Sequence, residues 1–228
     1  MTIRMSSIAD NLKAIRATLP QGVELVAVSK FHPADAVMEA YRAGQRIFGE
    51  SRVQELIPKA AALPADIRWH FIGHLQTNKV SQLIGHVAMI ESVDSLRLLT
   101  CIDRESARRG VVTRVLMEVH VAQEETKSGF MPDELVSYFA QGGFNSLSAT
   151  HICGIMGMAS NTDNADRINA DFAEIARTFQ RIRDAVPEGA LRGFDSLSMG
   201  MSTDYPLAID HGANLVRIGT AIFGERQY

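Results

Sequence analysis

Lys30 follows the run Leu25-Val26-Ala27-Val28-Ser29. A lysine behind an apolar run is a candidate for amine chemistry. An amine attacks a carbonyl only after losing its proton, and with a reference pKa of about 10.4 roughly one lysine in a few thousand has done so at neutral pH. Removal from water favours the neutral form, and a neutral amine condenses with aldehydes. A second group of candidates lies near the C-terminus, in Ser198-Met199-Gly200-Met201-Ser202 and Arg217-Ile218-Gly219-Thr220. Glycines let backbone N–H groups approach an anion, and hydroxyls add donors. Ser198, Gly200, Ser202, Gly219 and Thr220 therefore read as a phosphate cradle, with Arg217 as a fixed positive charge. The plainer alternatives are a surface lysine and two ordinary glycine turns.

The elements that would position these residues alternate along the chain. Leu25–Val28 has the unbroken apolar character of a strand buried on both faces, and Pro33 opens a helix after it. Further strands are expected at 46–49, 68–73, 87–93, 113–121, 149–156, 195–198 and 215–219. Helices are expected at 8–19, 33–43, 51–63, 77–84, 95–109, 132–140, 165–186 and 205–210. The 165–186 helix carries an apolar stripe of Ile168, Phe172, Ile175, Phe179 and Ile182. No linker or low-complexity stretch divides the 228 residues. Eight β/α units in one chain predict a single domain over residues 1–228. The fold class is α/β: a closed (β/α)8 TIM-type barrel preceded by an extra N-terminal helix. An open doubly wound sheet is the competitor. In a barrel, the loops after the strands share one face, so Lys30 and the two glycine segments would meet there.

An aldehyde bearing a phosphate would satisfy both groups, the lysine taking the carbonyl and the cradle the anion. Pyridoxal 5′-phosphate is such a ligand. A Schiff-base aldolase acting on a sugar phosphate is the rival. Other residues read more plainly. His70 and His74 lack a third ligand, so no metal site is expected. His120, His151 and His211 read as core or rim histidines. Met156, Met158, Met199 and Met201 read as gap fillers, with a soft wall around a ring as the alternative. Asp163, Asp166 and Asp171 read as solvated or capping charges on the long helix. Cys101 and Cys153 read as free thiols, Cys153 buried and inert, in a reducing cytoplasm. A formal net charge of −3 with scattered basic residues argues against nucleic acid. No stretch reads as a signal peptide or a membrane span.

Several segments resemble the pyridoxal phosphate homeostasis proteins. They include Ala27-Val28-Ser29-Lys30, Phe48-Gly49-Glu50, Val53-Gln54-Glu55, Lys127-Ser128-Gly129 and Gly154-Ile155-Met156. The most specific are the stretch from Trp69 to Lys79 and the final Val216-Arg217-Ile218-Gly219-Thr220-Ala221-Ile222-Phe223-Gly224, joined by Ser198-Met199-Gly200-Met201-Ser202. The resemblance spans essentially the whole chain. It implies the barrel of the alanine racemase N-terminal domain, with pyridoxal 5′-phosphate held by Lys30 as an internal aldimine. It places Ser198, Gly200, Ser202, Gly219 and Thr220 around the phosphate and Arg217 against the pyridine nitrogen. One departure stands out. The family reads Gly-Glu-Asn-Tyr after strand two, where this chain has Gly49-Glu50-Ser51-Arg52; the shorter Ser51 changes the contact that asparagine makes near the ring.

Two functions are compatible with this reading. One is a cytoplasmic, monomeric carrier that binds pyridoxal phosphate, supplies it to apo-enzymes and has no catalytic residues. The other is a small racemase or decarboxylase. A protonated Arg217 leaves the ring nitrogen a poorer electron sink than a carboxylate partner would, which disfavours carbanion chemistry. The sequence runs only eight residues past Thr220. That leaves no room for the further β-domain and second-face tyrosine of racemases, so the carrier is the expectation.

Overall fold

The computed structural model describes residues 7–121, 128–187 and 189–225. Eight parallel strands close into one barrel in sequence order, β1 to β8. They are β1 (Glu24–Val28), β2 (Ile47–Glu50), β3 (Arg68–Phe71), β4 (Met89–Val93), β5 (Thr113–Val119), β6 (Thr150–Gly157), β7 (Ser196–Ser198) and β8 (Leu215–Ile218). Around them lie α1 (Ile8–Thr18), α2 (Ala34–Arg42), α3 (Val53–Ala62), α4 (Val80–Leu83), α5 (Leu96–Arg109), α6 (Pro132–Ala140), α7 (Ala165–Ala185), α8 (Tyr205–Asp210) and α9 (Thr220–Phe223). The expected barrel and the extra N-terminal helix are both present. Residues 1–6, 122–127, 188 and 226–228, Lys127 and Glu188 among them, lie outside the described residues.

Strand alternation divides the core in two. Val26, Ile47, Met89, Leu116, Cys153, Met156 and Leu215 pack together inside the barrel. Ala27, Phe48, Phe71, Ile90 and Val216 instead face the helices, where Leu56, Phe139, Phe172, Ile175 and Ile182 cover them. Fully burying one such large side chain stabilises the fold by about 1.5–3 kcal/mol. The apolar stripe expected on α7 supplies three of these residues.

Several boundaries differ from expectation. β4 begins at Met89 and not Val87, and β5 ends at Val119. The 77–84 segment is a 3-10 turn, Thr77–Lys79, leading into α4. The turn Gly143–Ser146 and α9 were not anticipated, being too short to show a period. α1 docks on α9, with Asn11 Nδ2 donating to the Ile222 carbonyl at 2.9 Å. Among the described residues, no helix is long and apolar enough to cross a membrane.

Candidate functional site

Lys30 leaves the C-terminal end of β1, half-buried, in a turn closed by His32 N–H donating to the Ser29 carbonyl at 3.1 Å. On one side of β1 lies β8, paired Val26 to Arg217 and Ala27 to Ile218. On the other lies β2, paired Val28 to Gly49. β7 flanks β8, and Arg217 N–H donates to the Gly200 carbonyl at 3.0 Å. The chain ends carrying Lys30, Gly200–Ser202 and Gly219–Thr220 therefore rise from consecutive strands. His32 also stacks on Phe223 of α9, with ring centroids 5.1 Å apart.

The expected cradle residues do not all face the same way. Ser202 Oγ accepts from Gly219 N–H at 3.3 Å and from Ala221 N–H at 3.5 Å, which ties the β7 and β8 loops together. Thr220 is exposed at the start of α9. Gly200 has φ +93°, and a Cβ there would lie 2.7 Å from Ala208 Cβ. Only glycine fits that position without strain. Gly219 passes so close to β1 that a Cβ would lie 3.1 Å from the Val28 carbonyl oxygen. Ser198 is fully buried, and its hydroxyl donates to Glu91 Oε2 and accepts from Arg217 Nη1, both at 2.6 Å. Its hydroxyl is thus engaged inside the barrel.

Arg217 is buried at the base of this face. It also donates to the Gly157 carbonyl at 3.0 Å and lies 3.8 Å from Glu91 Oε2. Burial lowers its pKa, against the attraction of Glu91, Glu118 and Asp204. Glu91 in turn meets His70 Nδ1 at 2.6 Å. Burial alone would raise the Glu91 pKa, but His70, Arg217 and Ser198 outweigh it and the net direction is down. His70 is thus a barrel-interior partner of a carboxylate. His74 sits apart on the rim, 2.9 Å from Asp94.

A second buried cluster lies beneath Lys30. Glu50 Oε1 accepts from Lys59 Nζ and from Ser29 Oγ, both at 2.6 Å, while Glu50 Oε2 is buried without a hydrogen-bond partner. Burial raises the Glu50 pKa in spite of Lys59. Sequence reading missed Glu91, Glu50 and Lys59 as site residues. The available signal was a carboxylate in each of two short strands, Glu50 closing β2 and Glu91 at the centre of β4. Ser51 packs its backbone on Gly73, where a Cβ would meet the Ser51 carbonyl oxygen at 2.3 Å.

Two readings require correction. Asp171 is not solvated: it is buried, accepts from Ser160 N–H at 2.8 Å and pairs with Arg167 at 2.6 Å. The cap of α7 is Asn164, whose side chain accepts from Arg167 N–H at 3.1 Å. The methionines scatter: Met156 and Met199 are core, Met158 is partly buried against the inner cluster and Met201 is exposed. Cys153 is fully buried, with Arg114 Nε donating to its sulfur at 3.1 Å. His151 Nε2 lies 2.6 Å from the Arg192 carbonyl, His211 Nε2 lies 3.2 Å from Asn169 Oδ1, and His120 is half-buried.

A closed parallel barrel with a lysine after β1 and loops rich in glycine and hydroxyl side chains after β7 and β8 defines a class. Residues 3–227 match the family model described as the alanine racemase N-terminal domain. The pyridoxal phosphate homeostasis protein of Aquifex aeolicus is 38% identical over 90% of this chain and 88% of its own. That of Pseudomonas aeruginosa is 37% identical over 98% of both. Among solved structures, PipY of Synechococcus elongatus with PLP bound is 38% identical. It covers 96% of this chain and all of its own, with a TM-score of 0.87. Alanine racemase from E. faecalis, 20% identical with a TM-score of 0.70, shares the fold over 57% of its length. The chain belongs to the pyridoxal phosphate homeostasis protein family, built on the barrel of the alanine racemase N-terminal domain.

Proposed function

We propose that this chain binds pyridoxal 5′-phosphate through Lys30 and acts as a cytoplasmic, monomeric carrier that supplies the cofactor to apo-enzymes without turnover of its own. The observation that carries the reading is the placement of Lys30, Gly200, Ser202, Gly219 and Thr220 on consecutive strand ends, in a relative of a protein solved with PLP bound. The donor set suits the ligand: an amine for an aldehyde, and close-approach glycines with hydroxyls for a phosphate. When bound, the cofactor supplies an aldehyde that joins a primary amine reversibly.

The chain's own residues would divide the work. Lys30 is the attachment residue. Gly200, Ser202, Gly219 and Thr220 hold the anion, and Ser198 braces Arg217 from within. Arg217 is the residue for the pyridine nitrogen. It remains a hydrogen-bond donor there, because guanidinium does not give up its proton in proteins. A donor that cannot protonate the ring favours storage over carbanion chemistry.

Two measurements test the reading. Adding pyridoxal phosphate to purified protein should give a visible absorbance band. Incubation with a panel of amino acids, followed by chiral chromatography, should show no racemised or decarboxylated product. Steady turnover would make the protein a small racemase or decarboxylase, and a colourless protein would return the aldolase.

A further inference from the structure

Lys30 stands between two residues that one ion cluster holds. On its N-terminal side, Ser29 offers its carbonyl to Lys59 Nζ at 3.0 Å, and its hydroxyl donates to Glu50 Oε1 at 2.6 Å. On its C-terminal side, Phe31 N–H donates to Glu55 Oε2 at 2.8 Å. Lys59 links the two halves, 2.6 Å from Glu50 Oε1 and 3.8 Å from Glu55 Oε2. Lys59 and Glu50 are both buried. Burying an ammonium and a carboxylate is costly, so such a pair is weak evidence for stability and better evidence for a need to fix geometry.

The backbone supports that need. Phe31 has φ +66°, the one non-glycine residue with positive φ among those described. L side chains avoid that region, and such strain persists only where surrounding contacts over-determine it. Here Glu55 fixes the Phe31 N–H, and the Arg52 guanidinium lies 4.7 Å above the Phe31 ring and 3.7 Å from Glu55 Oε1.

We propose that Glu50, Lys59 and Glu55 form a clamp of positioning residues that aims the Lys30 amine and keeps it reactive toward aldehydes. The clamp acts through Ser29 and Phe31. The inference rests on Lys30 being the attachment residue.

The test uses the full chain without cofactor. It is exposed briefly to pyridine-4-carboxaldehyde and borohydride, and the labelled peptides are mapped by mass. The lysine nitrogen bonds the aldehyde carbon and water leaves; borohydride then adds hydride to that carbon and solvent a proton to nitrogen. Two variants are compared with the native chain. Glu55→Ala removes the Phe31 acceptor at a partly exposed position. Glu50→Gln with Lys59→Met dismantles the buried pair without stranding a charge. Native Lys30 should label roughly ten-fold faster than exposed Lys13 at the same pH. Both variants, folded by circular dichroism, should lose most of that advantage. Folded variants that keep the native Lys30-to-Lys13 ratio would overturn the clamp, as would a native Lys30 no faster than Lys13. A parallel titration with pyridoxal phosphate reads the attachment separately: a missing visible band in the native protein counts against the assigned ligand, while the Lys30-to-Lys13 ratio still judges the clamp.

Discussion

At the residue scale, Lys30 and Arg217 sit in different surroundings. Lys30 is half-buried in a turn, and its side chain is not part of the core. Lys30→Ala should therefore abolish the visible band with added cofactor and shift the melting temperature by no more than about 2 °C, since substitutions outside the core cost little. Retained colour would move the attachment to Lys79 or to Lys127. Arg217 is embedded in the His70–Glu91–Ser198 chain. Arg217→Met strips Glu91 of its guanidinium partner inside the barrel, and breaking such a pair costs about 3–5 kcal/mol. Urea denaturation should show that loss, and adding Glu91→Gln should restore much of it. A single variant as stable as the native protein would mean that water reaches Glu91. Lys30 was legible in the sequence because its strand precedes it directly. The Glu50–Lys59 pair was not, because the partners come from different elements and meet only after β2 and α3 pack.

At the element scale, the loop from β7 to α8 depends on Gly200. Gly200→Ala would place a methyl against Ala208 Cβ and 2.8 Å from Tyr205 Cα, at φ +93°. The expected cost is about 1–3 kcal/mol, together with weaker cofactor binding, because the same loop carries Ser202. Unchanged stability and affinity would show that the loop reshapes freely. The strands were readable from buried runs such as Val26-Ala27-Val28. Their ends were not: Val87 and Val121 extend the apolar pattern beyond the ladder, since apolar residues continue where pairing stops. Asp171 was misread for a related reason. Periodicity places it on α7 but does not reveal Ser160 N–H waiting opposite.

At the scale of the whole molecule, closing the barrel buries charged groups, Glu91 inside it and Glu50 between β2 and α3, and stability must follow pH accordingly. The Glu91 pKa is lowered in the folded chain. Its contribution is therefore present above the ordinary carboxylate range near 4 and is lost as pH falls through the lower folded value. Glu50 has the opposite sign: its raised pKa gives a contribution present below that range and lost as pH rises through the folded value. Urea midpoints from pH 3 to 8 should show a smaller acid-side loss in Glu91→Gln than in the native chain. Glu50→Gln should gain on the native chain as pH rises. Parallel pH profiles for all three proteins would contradict these assignments. The barrel itself was legible because eight β/α units in one undivided chain leave few topologies; its inner charges became visible only when strand register brought His70, Glu91, Ser198 and Arg217 together.

The most direct measurement incubates the protein with pyridoxal 5′-phosphate, reduces it with borohydride and maps the modified peptide by mass. The account predicts one reduced adduct, on Lys30, lost in Lys30→Ala. An adduct on another lysine, or none at all, would contradict it.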